Sequence, residues 1–327
     1  MKAIVCTEYG SPDVLQPKEV EKPVPQDDEI LVKIYATAVT TGETRMRGLD
    51  VPAGLGLIFR LAMGWRKPRN RIMGIDFAGK IESVGNRITK FKKGDKVFGS
   101  SGSGSYAEYL TIAEDKAVTL KPSNVSYVEA AAIPFGALSS LIYLRDLGNI
   151  QSGQRILVNG ASGCLGTYAV QFGKYFGAHV TGVCSTSNVE WVKALGADTV
   201  IDYTKKNFTL QDVKYDIIFD TVDKITFSDS KAALTPKGRF LMASAGVPQW
   251  FQVLWTTMAG SKKAVAALAV FTKEDLNFVK ELIEEEQLKP VIDRTYALEK
   301  MSEAHRYVDK GHKKGNVVII VDDKIKT

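Results

Sequence analysis

Up to about residue 122 the hydrophobic and polar positions alternate in short runs broken by Gly, Pro and Asp, as in "EILVKIYATAV", "DFAGKIESVG", "GDKVFGS" and "YAEYLTIA". A period of two puts every second side chain on one face of a strand, so this stretch predicts a compact β-rich domain. From Val125 the pattern turns helical. "AAIPFGALSSLIYLRDLG" carries an apolar face interrupted by Pro134 and Gly136. From Arg155 strands and helices alternate: "RILVNG", "HVTGVC", "DTVIDY", "YDIIFDTV" and "RFLMAS" are β-branched runs suited to strands buried on both faces. Between the first two, "LGTYAVQFGKYFGA" aligns Leu165, Tyr168, Ala169, Phe172 and Phe176 on one helical face; "SNVEWVKALGA" ends on Gly196 as a C-terminal cap. Repeated strand, crossover helix and strand predict a doubly wound parallel sheet. "AVAALAVF" is expected to add one more strand, and "TKEDLNFVKELIEEEQL" a helix capped by Thr272 with Asp275. The chain closes with "PVIDRTYAL", a helix around "MSEAHRYV" and the strand "NVVIIV".

One turn in this pattern carries chemistry. "VNGASGCLGTYAV" places Gly160, Gly163 and Gly166 between the strand "RILVNG" and the helix that follows. Dinucleotide-binding folds set a pyrophosphate there, because glycines let the backbone approach and helix N-terminal amides point at the anion. The candidate phosphate contacts are Asn159, Gly160, Ala161, Ser162, Gly163, Cys164, Leu165 and Gly166.

Composition narrows the picture further. The 327 residues are 45% hydrophobic and 24% charged, enough for two domains with ordinary cores. The start "MKAIVCTEYG" has no apolar signal region, and the longest apolar stretches fall short of a membrane span. Three scattered cysteines (Cys6, Cys164, Cys184) do not make a disulfide framework and point to a reducing compartment, the cytoplasm. The net charge of +6 describes a solvated basic surface. Its one dense cluster, "GWRKPRNR", lacks the interleaved aromatics or motif of a nucleic-acid site, and no nucleic-acid partner is expected.

The pieces "MKAIV", "GIDFAGKIESVG", "GDKVFG", "YAEYL", "AAIPFGALSSLIYL", "VNGASGCLGTYAVQFGKYFGAHVTGVCST", "LGADTVIDY" and "HKKGNVVIIV" occur in order across the whole chain. In them the sequence resembles the medium-chain dehydrogenase/reductase superfamily, and within it the zinc-independent NADPH:quinone oxidoreductases. The resemblance implies a GroES-like β-rich catalytic domain formed by residues 1–122 and 288–327, with a Rossmann nucleotide-binding domain inserted at 123–287. It also implies a homodimer. Zinc-dependent relatives hold the metal with Cys, His and Cys, whereas this chain offers Thr40, then Gly74-Ile75-Asp76, then Phe135 at those places. His179, His305 and His312 are the only histidines, and none lies four residues from another. No metal is expected.

NAD enzymes usually carry an acid at the end of the second sheet strand, to accept from the ribose 2′-hydroxyl. Here that strand ends "GVCSTSN", with Val183 or Cys184 at the position and no acid along the chain before Glu190. NADPH is therefore the expected cofactor, with Ser185, Thr186 and Ser187 as donors to its 2′-phosphate and Lys205 as a charge partner. The resemblance adds Tyr203 to this group and Asn316 to the cofactor contacts. The departure is that relatives often put Lys or Arg in this loop.

Without a metal, the protein positions the reactants and the cofactor carries the chemistry. Quinones and α,β-unsaturated carbonyls suit hydride attack because conjugation spreads the resulting charge. By the resemblance Thr40 and Ser139 lie near the nicotinamide, as candidate donors to the substrate oxygen. The alternatives are an enoyl thioester reductase of the same superfamily and a non-catalytic NADPH-binding protein. Two further stretches stand out. "LDVPAGLGLIFRLAMGWRKPRN" (49–70) either lines a substrate pocket or forms a packed surface helix. "PQWFQVLWTTMAG" (248–260) is expected near the cleft or a subunit interface.

Overall fold

The computed structural model describes residues 1–51, 54–210 and 212–322. Along the chain lie β1 (Lys2–Cys6), β2 (Leu15–Glu19), β3 (Glu29–Val39), α1 (Thr41–Gly48), α2 (Gly56–Met63), β4 (Asp76–Val84), β5 (Lys96–Ser100), β6 (Tyr109–Ala113), β7 (Val118–Leu120), α3 (Tyr127–Ala131) and α4 (Pro134–Leu141). There follow β8 (Arg155–Asn159), α5 (Cys164–Tyr175), β9 (His179–Cys184), α6 (Val189–Ala194), β10 (Thr199–Asp202), β11 (Tyr215–Asp220), α7 (Phe227–Ser230), β12 (Leu234–Met242), α8 (Val247–Ala259) and β13 (Lys263–Val265). The last elements are α9 (Lys273–Glu284), β14 (Ile292–Ala297), α10 (Met301–Asp309) and β15 (Asn316–Ile320).

The chain divides into two compact units. The first is built from Met1–Val51, Gly56–Leu138 and the stretch from Phe271 onward; the second is built mainly from Ser139–Val270. The divisions fall inside the 123–287 stretch assigned above to the nucleotide domain. Both α3 and α9 pack in the first unit: α3 lies against β3 and β4, and Thr119 Oγ1 donates to Asn277 Oδ1 of α9 at 2.6 Å.

The first unit carries a seven-stranded sheet in the order β14-β15-β3-β4-β5-β7, with β6 also on β3. All its pairs are antiparallel except β14 with β15. The two-residue alternation of β3 sends Ile30, Val32 and Ile34 into a core with Phe77, Ile81 and Val97. A second cluster gathers Ile4, Val39, Tyr106, Met301 and Val317 under α10.

The second unit is a six-stranded, wholly parallel sheet in the order β10-β9-β8-β11-β12-β13. Its apolar strands are buried because helices cover a parallel sheet; Leu157, Val183, Ile218 and Phe240 are core residues. Strand order reverses between β8 and β11, the topological switch point where open α/β sheets leave a crevice.

One expectation needs correction. "AVAALAVF" does not continue as a strand: β13 ends at Val265 because β12 pairs with it only over Arg239–Leu241. The Ala267 carbonyl instead faces the Tyr143 hydroxyl at 2.8 Å, and Leu268 is 88% exposed. After Val125 the chain is helical as expected, and it breaks before Pro134. Ser126 and Glu129 form a capping box that starts α3, which stops at Ala131, and Pro134 opens α4.

Candidate active site

The glycine turn sits between the end of β8 and the start of α5. Gly160 has φ +83°, and a Cβ there would meet Val222 Cγ1 at 2.4 Å. At Gly166 a Cβ would meet the Gly160 carbonyl oxygen at 2.1 Å, so the helix can lie this close to the turn only without a side chain. Gly163 differs. It is the N-cap of α5, makes no side-chain cap, and a Cβ on it would meet nothing closer than the Gly160 oxygen at 3.4 Å. The fold itself requires the outer two glycines and leaves the middle one bare beside uncapped helix amides, as an anion site does.

Neighbouring groups hold the turn in place. Gly160 N and Ala161 N both donate to Val183 O at the end of β9, at 3.1 and 3.0 Å. Asn159 Nδ2 donates to Asp220 Oδ1 at 2.9 Å, joining the ends of the two strands that flank the switch point. Burial raises the Asp220 carboxyl above its ordinary range, opposed by these bonds. Buried Asn188 bonds Ser185 Oγ at 3.1 Å and Ser162 Oγ at 3.3 Å, linking the glycine turn to the loop after β9.

That loop brings in a residue absent from the sequence expectation. Asp202, at the end of β10, accepts from Thr186 Oγ1 at 2.6 Å, and Lys205 Nζ lies 3.5 Å from the same oxygen. The Thr186 and Thr204 hydroxyls hold the Asp202 carboxyl down at about 2. An ionised acid therefore stands among the expected phosphate contacts. It occupies the Thr186 hydroxyl and faces Lys205, while Tyr203 remains exposed. Parallel pairing of Asp202 with Cys184 makes this contact, although the two lie far apart in sequence. The side chains of Val183 and Cys184 themselves are buried.

The first unit holds its own arrangement around Thr40. Thr40 caps α1, and Glu43 completes the box: Thr40 Oγ1 accepts from Glu43 N at 3.3 Å, while Glu43 Oε2 accepts from Thr40 N at 2.7 Å. Glu43 Oε1 accepts from Ile75 N at 2.8 Å, fixing the Gly74-Ile75-Asp76 turn against the helix start. Burial pushes Glu43 up to about 7 against these bonds. Tyr106 bonds Glu43, and its hydroxyl lies 3.2 Å from His305 Nε2, whose ring burial holds down at about 3. A 260 Å³ cavity opens beside Glu43, with Met46, Met63, Met73, Gly74 and Ile75 in its wall. The threonine-x-x-glutamate spacing was the available signal for Glu43, and it marks a helix start as readily as a site.

The remaining expected residues fall as follows. Ser139 is buried on α4 in the second unit. Asn316 is buried at the start of β15, where its side chain donates to Val291 O at 3.1 Å. Over its described residues the 49–70 stretch forms α2, none of whose residues is buried, and its Ala62, Met63, Pro68, Arg69 and Asn70 line the cavity. Pro52 and Ala53 of that stretch lie outside the described residues. Among the described residues, no three His, Cys, Asp or Glu side chains are grouped to hold a metal.

Comparison with known proteins agrees with this architecture. Residues 26–122 match the family described as alcohol dehydrogenase GroES-like domain, and residues 195–319 match zinc-binding dehydrogenase. Over 335 residues the chain is 33% identical to a quinone-oxidoreductase homolog, chloroplastic, of Spinacia oleracea, covering 98% of each chain. The chain belongs to the medium-chain dehydrogenase/reductases of the quinone oxidoreductase type. A 2-methylene-furan-3-one reductase of Solanum lycopersicum is 32% identical over 98% of this chain and 79% of its own. The solved quinone oxidoreductase from Coxiella burnetii superposes with a TM-score of 0.87 at 25% identity, over 98% of this chain and 99% of that one. Within this family, the parallel sheet with the glycine turn is the Rossmann part, and the sheet carrying Thr40 and Glu43 is the GroES-like part.

Proposed function

We propose that this oxidoreductase reduces quinones or α,β-unsaturated carbonyls with NADPH, by metal-free hydride transfer. The observation that carries the reading is the bare Gly163 at the uncapped start of α5, between two glycines that the fold needs for itself. The first-turn amides of α5 would hold the pyrophosphate, and Ser185, Ser187, Tyr203 and Lys205 would surround the 2′-phosphate. The bound nicotinamide supplies the hydride. Thr40 and Ser139 would donate to the oxygen that gains charge. Thr40, Ile75 and Phe135 supply no thiolate, imidazole or carboxylate, so the donor set does not fit zinc. Conjugated acceptors suit a site of this kind, since they delocalise charge without a Lewis acid. The spinach relative is named for quinones, and the compound in the tomato relative's name is a conjugated enone.

The test is NADPH oxidation over a panel of quinones, enones, acyl-thioester enoyl substrates and secondary alcohols with NADP, repeated after chelation. Turnover of quinones or enones, unchanged by chelators, is expected. Turnover confined to enoyl thioesters, or tight NADPH binding with no turnover at all, would replace this reading with one of its two rivals.

The same reading includes a homodimer. In the second unit, Phe251, Leu254, Trp255 and Met258 on α8 are exposed, and β13 is an edge strand. An apolar face beside an unpaired strand edge suits burial by a second copy. Sedimentation should give a dimer that Leu254→Ser with Trp255→Ser converts to monomer.

A further inference from the structure

We propose that α2 and the turn after it dock the first unit on an anionic lipid bilayer. On α2, Leu57, Ile58 and Leu61 project together, and Trp65 follows one turn later; these four are between 57% and 61% exposed. Apolar side chains this exposed on a short helix need a cover, and their neighbours indicate which. From Val51 to Ile75 there is no Asp or Glu, while Arg60, Arg66, Lys67, Arg69 and Arg71 are all cationic. Arg66, Lys67 and Arg69 are exposed. Two of the arginines brace the segment rather than face away from it: Arg60 donates to Trp65 O at 2.7 Å and Arg69 to Leu61 O at 3.0 Å. The indole and the basic turn are thus held beside the apolar face.

Aliphatic side chains next to a tryptophan and a cluster of cations, with no acid among them, form the pattern of a helix lying in a lipid interface. The apolar face enters the acyl boundary, the indole sits at headgroup depth, and the basic turn meets anionic lipid. A protein partner would need a shaped apolar groove with an acidic rim, whereas an anionic bilayer presents both features without shape complementarity. The segment also walls the Glu43 cavity, so docking would bring that cavity to the bilayer. That consequence rests on the reductase reading; the docking itself does not.

The test is co-sedimentation of the full chain with vesicles of phosphatidylcholine alone, or of phosphatidylcholine and phosphatidylglycerol in equal parts. Binding to the anionic vesicles alone, weakened by salt, is expected. Arg66→Glu with Lys67→Glu should weaken partitioning at least on the order of thirtyfold, taking about fivefold for each basic side chain removed. Leu57→Ser with Leu61→Ser should abolish it, while both variants keep the wild-type melting temperature and NADPH oxidation in detergent-free buffer. Leu254→Ser with Trp255→Ser on α8 should leave vesicle binding intact. No binding to either vesicle overturns the proposal, as does loss of binding only in the α8 variant. A change of oligomeric state in the α2 variants, with vesicle binding unchanged, would assign the face to a second copy instead.

Discussion

Replacing Glu43 by Gln probes the buried turn that joins α1 to the Gly74–Asp76 segment. Burial holds the Glu43 carboxyl at about 7, against an ordinary value of 4.5. Between those values the folded chain keeps a proton that the unfolded chain has released. The native state therefore binds more protons, and stability falls as pH rises through this window. At about 1.4 kcal/mol per pH unit the loss reaches about 3 kcal/mol; the contribution is fully present below the unfolded value and gone above the folded one. Glutamine removes this pH dependence at a fixed cost. The carboxyl oxygens accept from Thr40 N at 2.7 Å and Ile75 N at 2.8 Å, and an amide can serve only one of them. Leaving one buried N–H facing an NH₂ group costs about 1–3 kcal/mol. Glu43→Gln should therefore be less stable than wild type by about 2 kcal/mol near pH 5, with the gap closing or inverting by about pH 8. Urea unfolding of both proteins across that range measures the difference; Asp76, whose carboxyl the Glu43 charge also pushes up, is relieved in the variant and shifts the gap in the same direction. A gap that stays constant or widens with pH would refute the argument.

Other expectations separate fold from cofactor. Gly166→Ala, with its Cβ 2.1 Å from the Gly160 oxygen, should destabilise by about 3 kcal/mol in urea unfolding. Gly163→Ala should cost only about 1 kcal/mol of stability, the loss of a favourable N-cap residue, but weaken NADPH binding at least about tenfold, or ~1.4 kcal/mol, by fluorescence titration; the reverse assignment of effects would contradict an anion site at this turn. NADPH should bind about tenfold more tightly than NADH. Asp202→Asn should widen that preference, because it removes a negative charge and releases Thr186 and Lys205; an unchanged ratio would show that this loop does not meet the 2′-phosphate.

Much of the fold was legible because burial and turns leave local traces. β-Branched runs marked β8 through β12, and the spacing of Gly160, Gly163 and Gly166 marked the switch-point turn. Long-range contacts left less trace. Asp202 belongs to the loop after β9 only through parallel pairing with Cys184, a relation that no local pattern encodes. Glu43 carries no local signal beyond the Thr-x-x-Glu spacing of a helix start, and only the fold shows its second oxygen holding Ile75 N. The apolar run after Val265 read as a strand because hydrophobicity alone does not reveal where a partner strand stops pairing.

The proposed function turns on hydride delivery from NADPH to a conjugated acceptor. The most direct measurement is NMR of the product after turnover of an enone with NADPH deuterated at the transferable C4 position. One deuterium should appear at the β-carbon, with the α-hydrogen drawn from solvent. Deuterium at the carbonyl carbon, or no enone turnover alongside efficient oxidation of a plain secondary alcohol, would contradict it.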